Sequence, residues 1–255
     1  MNQAAEKLTS TSSSPRSTGT VRLKVEDGGL RSRRVAVQRR RDWNERAVRS
    51  LNLAVAAIGL VLTAPLQLVI AILVKLSSPG PVFYTQDRVG IDRRRGEPTP
   101  EQLSRRIQDH GGRLFRIYKF RTMRPAAPTA NQVWAAENDP RITKIGGILR
   151  KYRLDELPQL WNVLKGDMNI VGPRPEQPEI FKNLRDQVDA YPRRQRVLPG
   201  ITGLAQVSHH YDRSVDDVRT KVRYDLEYIH RRSLVEDLRI MARTLPVMVG
   251  KKGSL

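Results

Sequence analysis

Asp155 and Glu156 stand side by side in the stretch DPRITKIGGILRKYRLDELPQLWNVLKGDMNIVGPRPE, residues 139–176. Arg150, Lys151 and Arg153 precede them, and Lys165 and Arg174 follow. Adjacent carboxylates enclosed by fixed cations suit chemistry on a phosphate with a metal helping. A phosphoryl centre attacked by an anionic oxygen needs its negative charge offset, and lysine, arginine and Mg²⁺ are the usual means. Lys119, Arg121, Arg150 and Arg174 are the candidate cations. Mg²⁺ takes one or two carboxylates and completes its shell with water and substrate phosphates, so Asp155 and Glu156 could supply its protein ligand. An aspartate can also attack phosphorus itself and form an acyl phosphate, splitting one hard step into two. If Asp155 begins a helix, the helix N-terminus would lower its pKa and favour a phosphate beside it. The plainer alternative is that Asp155 only caps that helix.

The surrounding pattern must position these groups. Leu157, Leu160, Trp161 and Leu164 fall at i, i+3, i+4 and i+7, one apolar helix face. Pro158 is tolerated only in a first turn, and Gly166 is a C-terminal stop. Pro173 and Pro175 restrict the backbone on both sides of Arg174, so VGPRPEQPE cannot be regular; a rigidly held arginine suits a phosphate, with a plain turn residue as the alternative. Val82–Tyr84 and the alternating RLFRIYKFRTM (113–123) read as extended strands. Between them, residues 92–113 read as a polar surface insertion around one short helix. Residues 125–140 read as a Pro/Ala-rich loop. PGITGLAQV (199–207) reads as a glycine-punctuated loop leading into a short strand. Leu234, Leu238, Met241, Leu245 and Met248 form a stripe accompanied by Arg231, Arg232, Arg239 and Arg243. Such a helix either packs on the core or lies on a membrane surface, and Pro246 should kink or end it.

The 255 residues carry a formal charge of +20 and no cysteine. The charge points to anionic partners; the missing thiols exclude disulfides and thiolate metal sites. No Walker A, GxGxxG or HExxH pattern occurs, which excludes P-loop kinases and zinc hydrolases on motif grounds. Residues 1–45 read as a disordered tail, Ser/Thr-rich at first and then arginine-rich, unable to bury enough apolar surface to offset ordering entropy. The arginine run is either a solvated charge cluster or a polybasic patch for anionic lipid headgroups. Leu51–Val74 has no charged residue and is long enough to cross a bilayer. Pro65 near its middle, and positive charge on both flanks, favour a helix–break–helix over 46–75 that enters and leaves one face. A simple span is the alternative, and a buried soluble helix fits least.

KLSSPGPVFYTQDRVG, FRIYKFRTM, the 139–175 stretch and PGITGLAQV closely resemble the bacterial sugar transferase family, the monotopic polyprenyl-phosphate phosphoglycosyl transferases. The resemblance runs from about Arg46 to about Val249. It implies transfer of a sugar-1-phosphate from a UDP-sugar to undecaprenyl phosphate, giving UMP, as the first membrane step of exopolysaccharide, O-antigen and lipopolysaccharide, capsule or glycoprotein glycan synthesis. It implies Asp155 as the nucleophile of a covalent phosphosugar-aspartate and as the Mg²⁺ ligand, with Glu156 as its acidic partner. Lys119, Arg150 and Arg174 match family residues around the phosphates. The fold implied is mainly α with a few short strands: a cytosolic catalytic domain over 76–255, docked by a re-entrant helix broken at Pro65 and by interfacial amphipathic helices. Ala64 stands where the family often has serine, and Thr63 can substitute for its backbone hydrogen bond. The resemblance implies a small member of the family, one expected to lack the four-helix membrane region of the large members. Location at the cytoplasmic face of the bacterial inner membrane, and possible homo-oligomers, follow from the same resemblance. The other readings are a membrane-surface binding protein that has lost activity, which predicts a damaged dyad, and a nucleic-acid binder, against which the apolar segment and the 5% aromatic content count.

Overall fold

The structure is a computed structural model that describes residues 27–93, 111–124, 139–209 and 214–249, with side chains described from residue 44 to residue 247 of these. By packing, the chain divides between Arg41 and Asp42. Of the first unit only the helical backbone from Asp27 is described; all contacts below belong to the second. Most of the 92–113 insertion and of the 125–140 loop lies outside the described residues, as does the tail before Asp27.

Helix α1 covers Asp27–Ser77, so the boundary expected at 45/46 falls within a helix. It runs through Pro65 without interruption. The expected helix–break–helix is thereby corrected to one continuous helix. Pro65 removes one donor and crowds the preceding turn. Neighbouring side chains brace that turn: Thr63 Oγ1 donates to Gly59 O at 2.6 Å, and Gln67 Nε2 donates to Thr63 Oγ1 at 2.9 Å. Val48, Asn52, Ala56, Ile70 and Val74 are buried, whereas Val61, Leu62 and Leu68 are 64–75% exposed. Within Asn44–Ser77, one face therefore packs on the fold around Val48–Ala56 and again around Ile70–Val74, and the apolar stretch between them projects outward.

Strands β1 (Phe83–Val89) and β2 (Leu114–Phe120) pair antiparallel, with Tyr84 opposite Lys119 and Arg88 opposite Phe115. Helix α2 (Lys144–Lys151) starts at Thr143, whose hydroxyl accepts from the Gly146 amide at 2.9 Å. A single 3₁₀ turn, Leu154–Glu156, then leads through Pro158 to α3 (Gln159–Lys165), which ends at Gly166 with φ 84°. That left-handed stop is the one expected from the sequence. The apolar face expected of this helix is only partly inward: Val163 is buried, Leu160 is partly buried and Trp161 is 53% exposed. Strand β3 (Asn169–Val171) pairs parallel with β4 (Gly200–Thr202). Between them lie α4 (Pro178–Arg185) and a 3₁₀ segment, Tyr191–Arg196. After β4 come α5 (Leu204–Ser208), α6 (Val215–Arg231), opened by a Ser214–Asp217 capping box, and α7 (Leu234–Val249). In 199–207 the strand thus comes first and a helical turn follows, where the sequence reading expected a loop leading into a strand. Helix α7 continues past Pro246.

The largest apolar cluster joins Ala56 of α1, Phe115 and Ile117 of β2, Val163 of α3, Met168, Val171 of β3, Tyr228 of α6 and Ile240 of α7. Each such side chain contributes roughly 1.5–3 kcal/mol when fully buried. Of the C-terminal stripe, Met241 packs against this cluster, while Leu238 and Leu245 are 47% and 66% exposed. Polar ties reinforce the same contacts. Arg49 donates to Val163 O at 2.8 Å near the end of α3, and Asn52 accepts from the Ile170 amide.

Candidate active site

The dyad sits on the 3₁₀ turn where β2, α2 and the loop after β3 meet. Its backbone is unusual: Arg153, immediately before it, has φ 54° and ψ 22°, a left-handed conformation uncommon for a residue with a Cβ. That reversal turns both carboxylates inward, leaving Asp155 and Glu156 only 11% and 7% exposed at the side chain.

Glu156 is the anchored member. Its Oε1 accepts from Lys119 Nζ at 2.8 Å and from Arg174 Nη2 at 2.9 Å, and its Oε2 lies 3.6 Å from Arg153 Nη1. Burial alone would raise its pKa, but Arg174, Lys119 and Arg153 together outweigh burial and hold it well below the usual carboxylate range. Asp155 differs. Its nearest cation is Lys119 Nζ, 3.9 Å from Oδ2, and its carboxylate accepts no hydrogen bond among the described residues. Burial raises its pKa, Lys119 opposes this, and the Glu156 charge adds to the rise. The depressed pKa expected from a helix N-terminus is therefore corrected: desolvation and the adjacent carboxylate outweigh any end-of-helix field on a single turn.

Of the four cations expected from the sequence, the structure brings Lys119 and Arg174 into direct contact with the dyad. Arg150, on the last turn of α2, is close enough to favour the charged form of Asp155, and its one described hydrogen bond goes to Met123 Sδ at 3.9 Å. Arg121 is elsewhere. Its buried guanidinium donates to Ser78 O at 2.6 Å, Pro79 O at 2.9 Å and Val74 O at 3.3 Å. It satisfies free carbonyls at the C-terminal end of α1, where a cation also opposes the helix dipole. Arg121 is an anchor for α1 rather than a phosphate ligand. The sequence reading missed three other groups. Arg153 was legible only as part of a basic cluster. Arg88 shares a strand face with Tyr84 and Gln86, at the period of two, and donates to Pro175 O at 3.3 Å. Glu176, in the PRPE run, pairs with Lys221 Nζ at 2.7 Å.

The arrangement leaves one nearly bare carboxylate beside a cluster of fixed cations, a place for a diphosphate. Lys119 and Arg174 retain donors beyond those given to Glu156. Among the described residues no group of three or more His, Asp or Glu converges on one point. A single carboxylate fits Mg²⁺, which draws its remaining ligands from water and phosphate; Asp155 has that capacity, and Glu156 is already shared among three cations.

The family profile described as bacterial sugar transferase matches residues 43–251. The chain is 41% identical over 197 residues to a UDP-N-acetylgalactosamine-undecaprenyl-phosphate N-acetylgalactosaminephosphotransferase of Aeromonas hydrophila, covering 77% of this chain and 42% of that protein. It is 41% identical over 201 residues to a UDP-glucose:undecaprenyl-phosphate glucose-1-phosphate transferase of Xanthomonas campestris pv. campestris, covering 77% and 37%. It is 37% identical over 223 residues to the exopolysaccharide production protein ExoY of Rhizobium meliloti, covering 82% and 88%. The chain thus spans about two fifths of the first two relatives and most of the third.

Proposed function

The chain belongs to the bacterial sugar transferase family, and from that premise we propose that it transfers a sugar-1-phosphate from a UDP-sugar to undecaprenyl phosphate, releasing UMP. The observation that carries this reading is the division of labour in the dyad: Glu156 is held charged by Lys119 and Arg174, and Asp155 is left open beside the same cations. The relatives' names supply the substrate class.

Asp155 Oδ attacks the sugar-bearing phosphorus of the donor. A P–O bond forms, the phosphoanhydride bond breaks, and UMP leaves with the bridging oxygen. An oxygen of undecaprenyl phosphate then attacks the same phosphorus and displaces the Asp155 carboxylate. One phosphoanhydride replaces another, so no ATP is consumed. Lys119 and Arg174 hold the phosphate oxygens in place, and Glu156 fixes both cations. Mg²⁺ bound at Asp155 would neutralise charge on the phosphates. Arg150 contributes a longer-range positive field.

The same reading places the protein at the inner membrane with its catalytic unit on the cytoplasmic side, attached through α1. Asn44–Ser77 is long and apolar enough to cross a membrane. Val48–Ala56 and Ile70–Val74, however, both pack on one catalytic unit. Two segments on one polar unit cannot lie on opposite sides of a hydrocarbon core roughly 30 Å thick. This supports an α1 embedded in one leaflet, with the exposed stretch between those two segments in lipid and both segments on the cytoplasmic face. The exposed Leu238 and Leu245 of α7 suit the same interface, and the N-terminal arginines suit anionic headgroups.

The test is UMP release by purified protein in nanodiscs, across a panel of UDP-sugars with undecaprenyl phosphate and Mg²⁺. Release that requires lipid, metal and Asp155 is expected. Sugar-phosphate trapped on the protein without acceptor would report the covalent step. An unlabelled protein that still turns over would replace it with direct attack by the lipid phosphate.

A further inference from the structure

Four consecutive carbonyls, from Pro173 to Glu176, are each held by a donor from elsewhere in the fold. Pro173 O accepts from the Gly200 amide of β4 at 2.9 Å. Arg174 O accepts from Arg194 Nη2 at 3.1 Å. Pro175 O accepts from Arg88 Nη1 at 3.3 Å. Glu176 O accepts from the Val89 amide at 2.9 Å. The segment has no regular secondary structure, yet it is bonded like the middle of a sheet. Its two prolines remove backbone donors and narrow φ, so these acceptor bonds are how the fold can grip it.

Arg194 is the donor that reaches the carbonyl of the site arginine itself. It lies on the 3₁₀ segment Tyr191–Arg196 and is 1% exposed. Its Nε donates to Asp225 Oδ2 of α6 at 2.6 Å, and its Nη1 lies 3.7 Å from Glu176 Oε1, which also pairs with Lys221 of α6. A buried arginine is costly unless paired and hydrogen-bonded. Here the pairs orient the guanidinium fork so that its remaining edge meets Arg174 O. The Arg194 guanidinium also lies over the Tyr191 ring, 4.9 Å from the centroid, beside the apolar cluster of Phe181, Tyr191 and Val218.

We propose that Arg194, locked by Asp225, is a positioning residue for the reaction. It fixes the backbone of Arg174 so that the Arg174 guanidinium meets both Glu156 and the donor's diphosphate. This rests on the transferase reading above. Misplacing a binding group by about 1 Å through a distant substitution can cost on the order of 10²-fold in rate. Arg194 acts through Arg174, so its effect should vanish once Arg174 is gone.

The experiment is a double-mutant cycle on UMP release with Arg194→Lys, Arg174→Ala and the double variant, in nanodiscs. Arg194→Lys keeps a charge for Asp225 but loses the fork that reaches Arg174 O. We expect it to lower kcat/KM by roughly 10–100-fold, and to add less than about 2-fold in the Arg174→Ala background. Asp225→Asn, which loosens the same guanidinium, should follow the same non-additive pattern. Full additivity of the two substitutions would overturn the proposal and leave Arg194 a structural residue. So would an Arg194→Lys variant with unchanged kcat/KM. If Arg194→Lys fails to fold, Asp225→Asn carries the cycle with the same two outcomes. A wild-type protein that releases no UMP from any donor overturns the parent reading instead, and this one with it.

Discussion

Asp155 and Glu156 share one functional group and adjoin in the chain, yet their surroundings separate them. Glu156 is bonded to two cations; Asp155 has one at 3.9 Å. The carboxylate that titrates first on acidification is therefore Asp155. A nucleophile must be unprotonated, and raising a carboxyl pKa extends its neutral form to higher pH. The acid limb of kcat/KM for the donor should thus lie above the ordinary aspartate value of about 3.9; a limb at or below that value would contradict the burial argument. Asp155→Asn should preserve thermal stability and cut UMP release by about three orders of magnitude or more. Glu156→Gln behaves differently, because it strips the shared acceptor charge from Lys119 and Arg174. Losing hydrogen bonds to charged groups costs about 1.5–3 kcal/mol, so the melting temperature should fall by roughly 3–12 °C along with activity. Unchanged melting would show that the cations find other partners.

Elements matter here through how closely they approach. A Cβ at Gly146 would sit 2.0 Å from Thr122 O, whereas one at Gly147 would meet nothing within 4 Å. The first turn of α2 is thus pressed onto the segment after β2, and its last turn carries Arg150 toward the dyad. Gly146→Ala should lower both stability and kcat/KM. Gly147→Ala, in the same helix, should raise stability by about 0.5–1 kcal/mol and leave activity alone, and differential scanning of the two variants checks the pair. The sequence carried part of this. Acid–base adjacency marked the dyad, proline spacing marked the irregular arm, and Gly166 marked a helix end, because each depends on local chemistry. Arg121 was misread because a basic residue in a basic motif gives no sign of which carbonyls it will meet; its partners, Val74 to Pro79, lie more than 40 residues away. The Pro65 break was overestimated because Thr63 was read as a single substitute hydrogen bond, whereas Gln67, one helical step of four further on, extends the brace across the proline turn. Arg194 carried no local signal at all, since its partners come from α6 and from the arm.

At the scale of the molecule, the placement of α1 predicts topology. The chain has no cysteine, so single labels are clean. Ser50→Cys and Lys75→Cys should both react with a membrane-impermeant maleimide only from the cytoplasmic side. Labelling of the two from opposite sides would make α1 a span. Buried charge also sets an acid limit. Glu176, paired with Lys221 and Arg194 against the pull of burial, is held at about 2. A depressed carboxylate contributes its stability above the unfolded value near 4.5 and loses it as pH falls toward the folded one. Unfolding followed by tryptophan fluorescence should therefore steepen between about pH 4.5 and 2, and Glu176→Gln should flatten that dependence. The long-range ties of α1 have a consequence in time. Asn44 accepts from the Leu234 amide across 190 residues, so the first described helix closes against the last. At about 5–20 residues per second of synthesis, the ribosome needs roughly 10–40 s between making the two. Ile70 and Val74 of α1 meet Phe120 and Leu149 early in that interval, but the contact between Asn44 and Leu234 waits for all of it, and the exposed residues between those segments find no cover in the finished fold either. On the membrane reading proposed above, lipid would cover those residues first, and the bilayer would be the template on which the catalytic unit assembles.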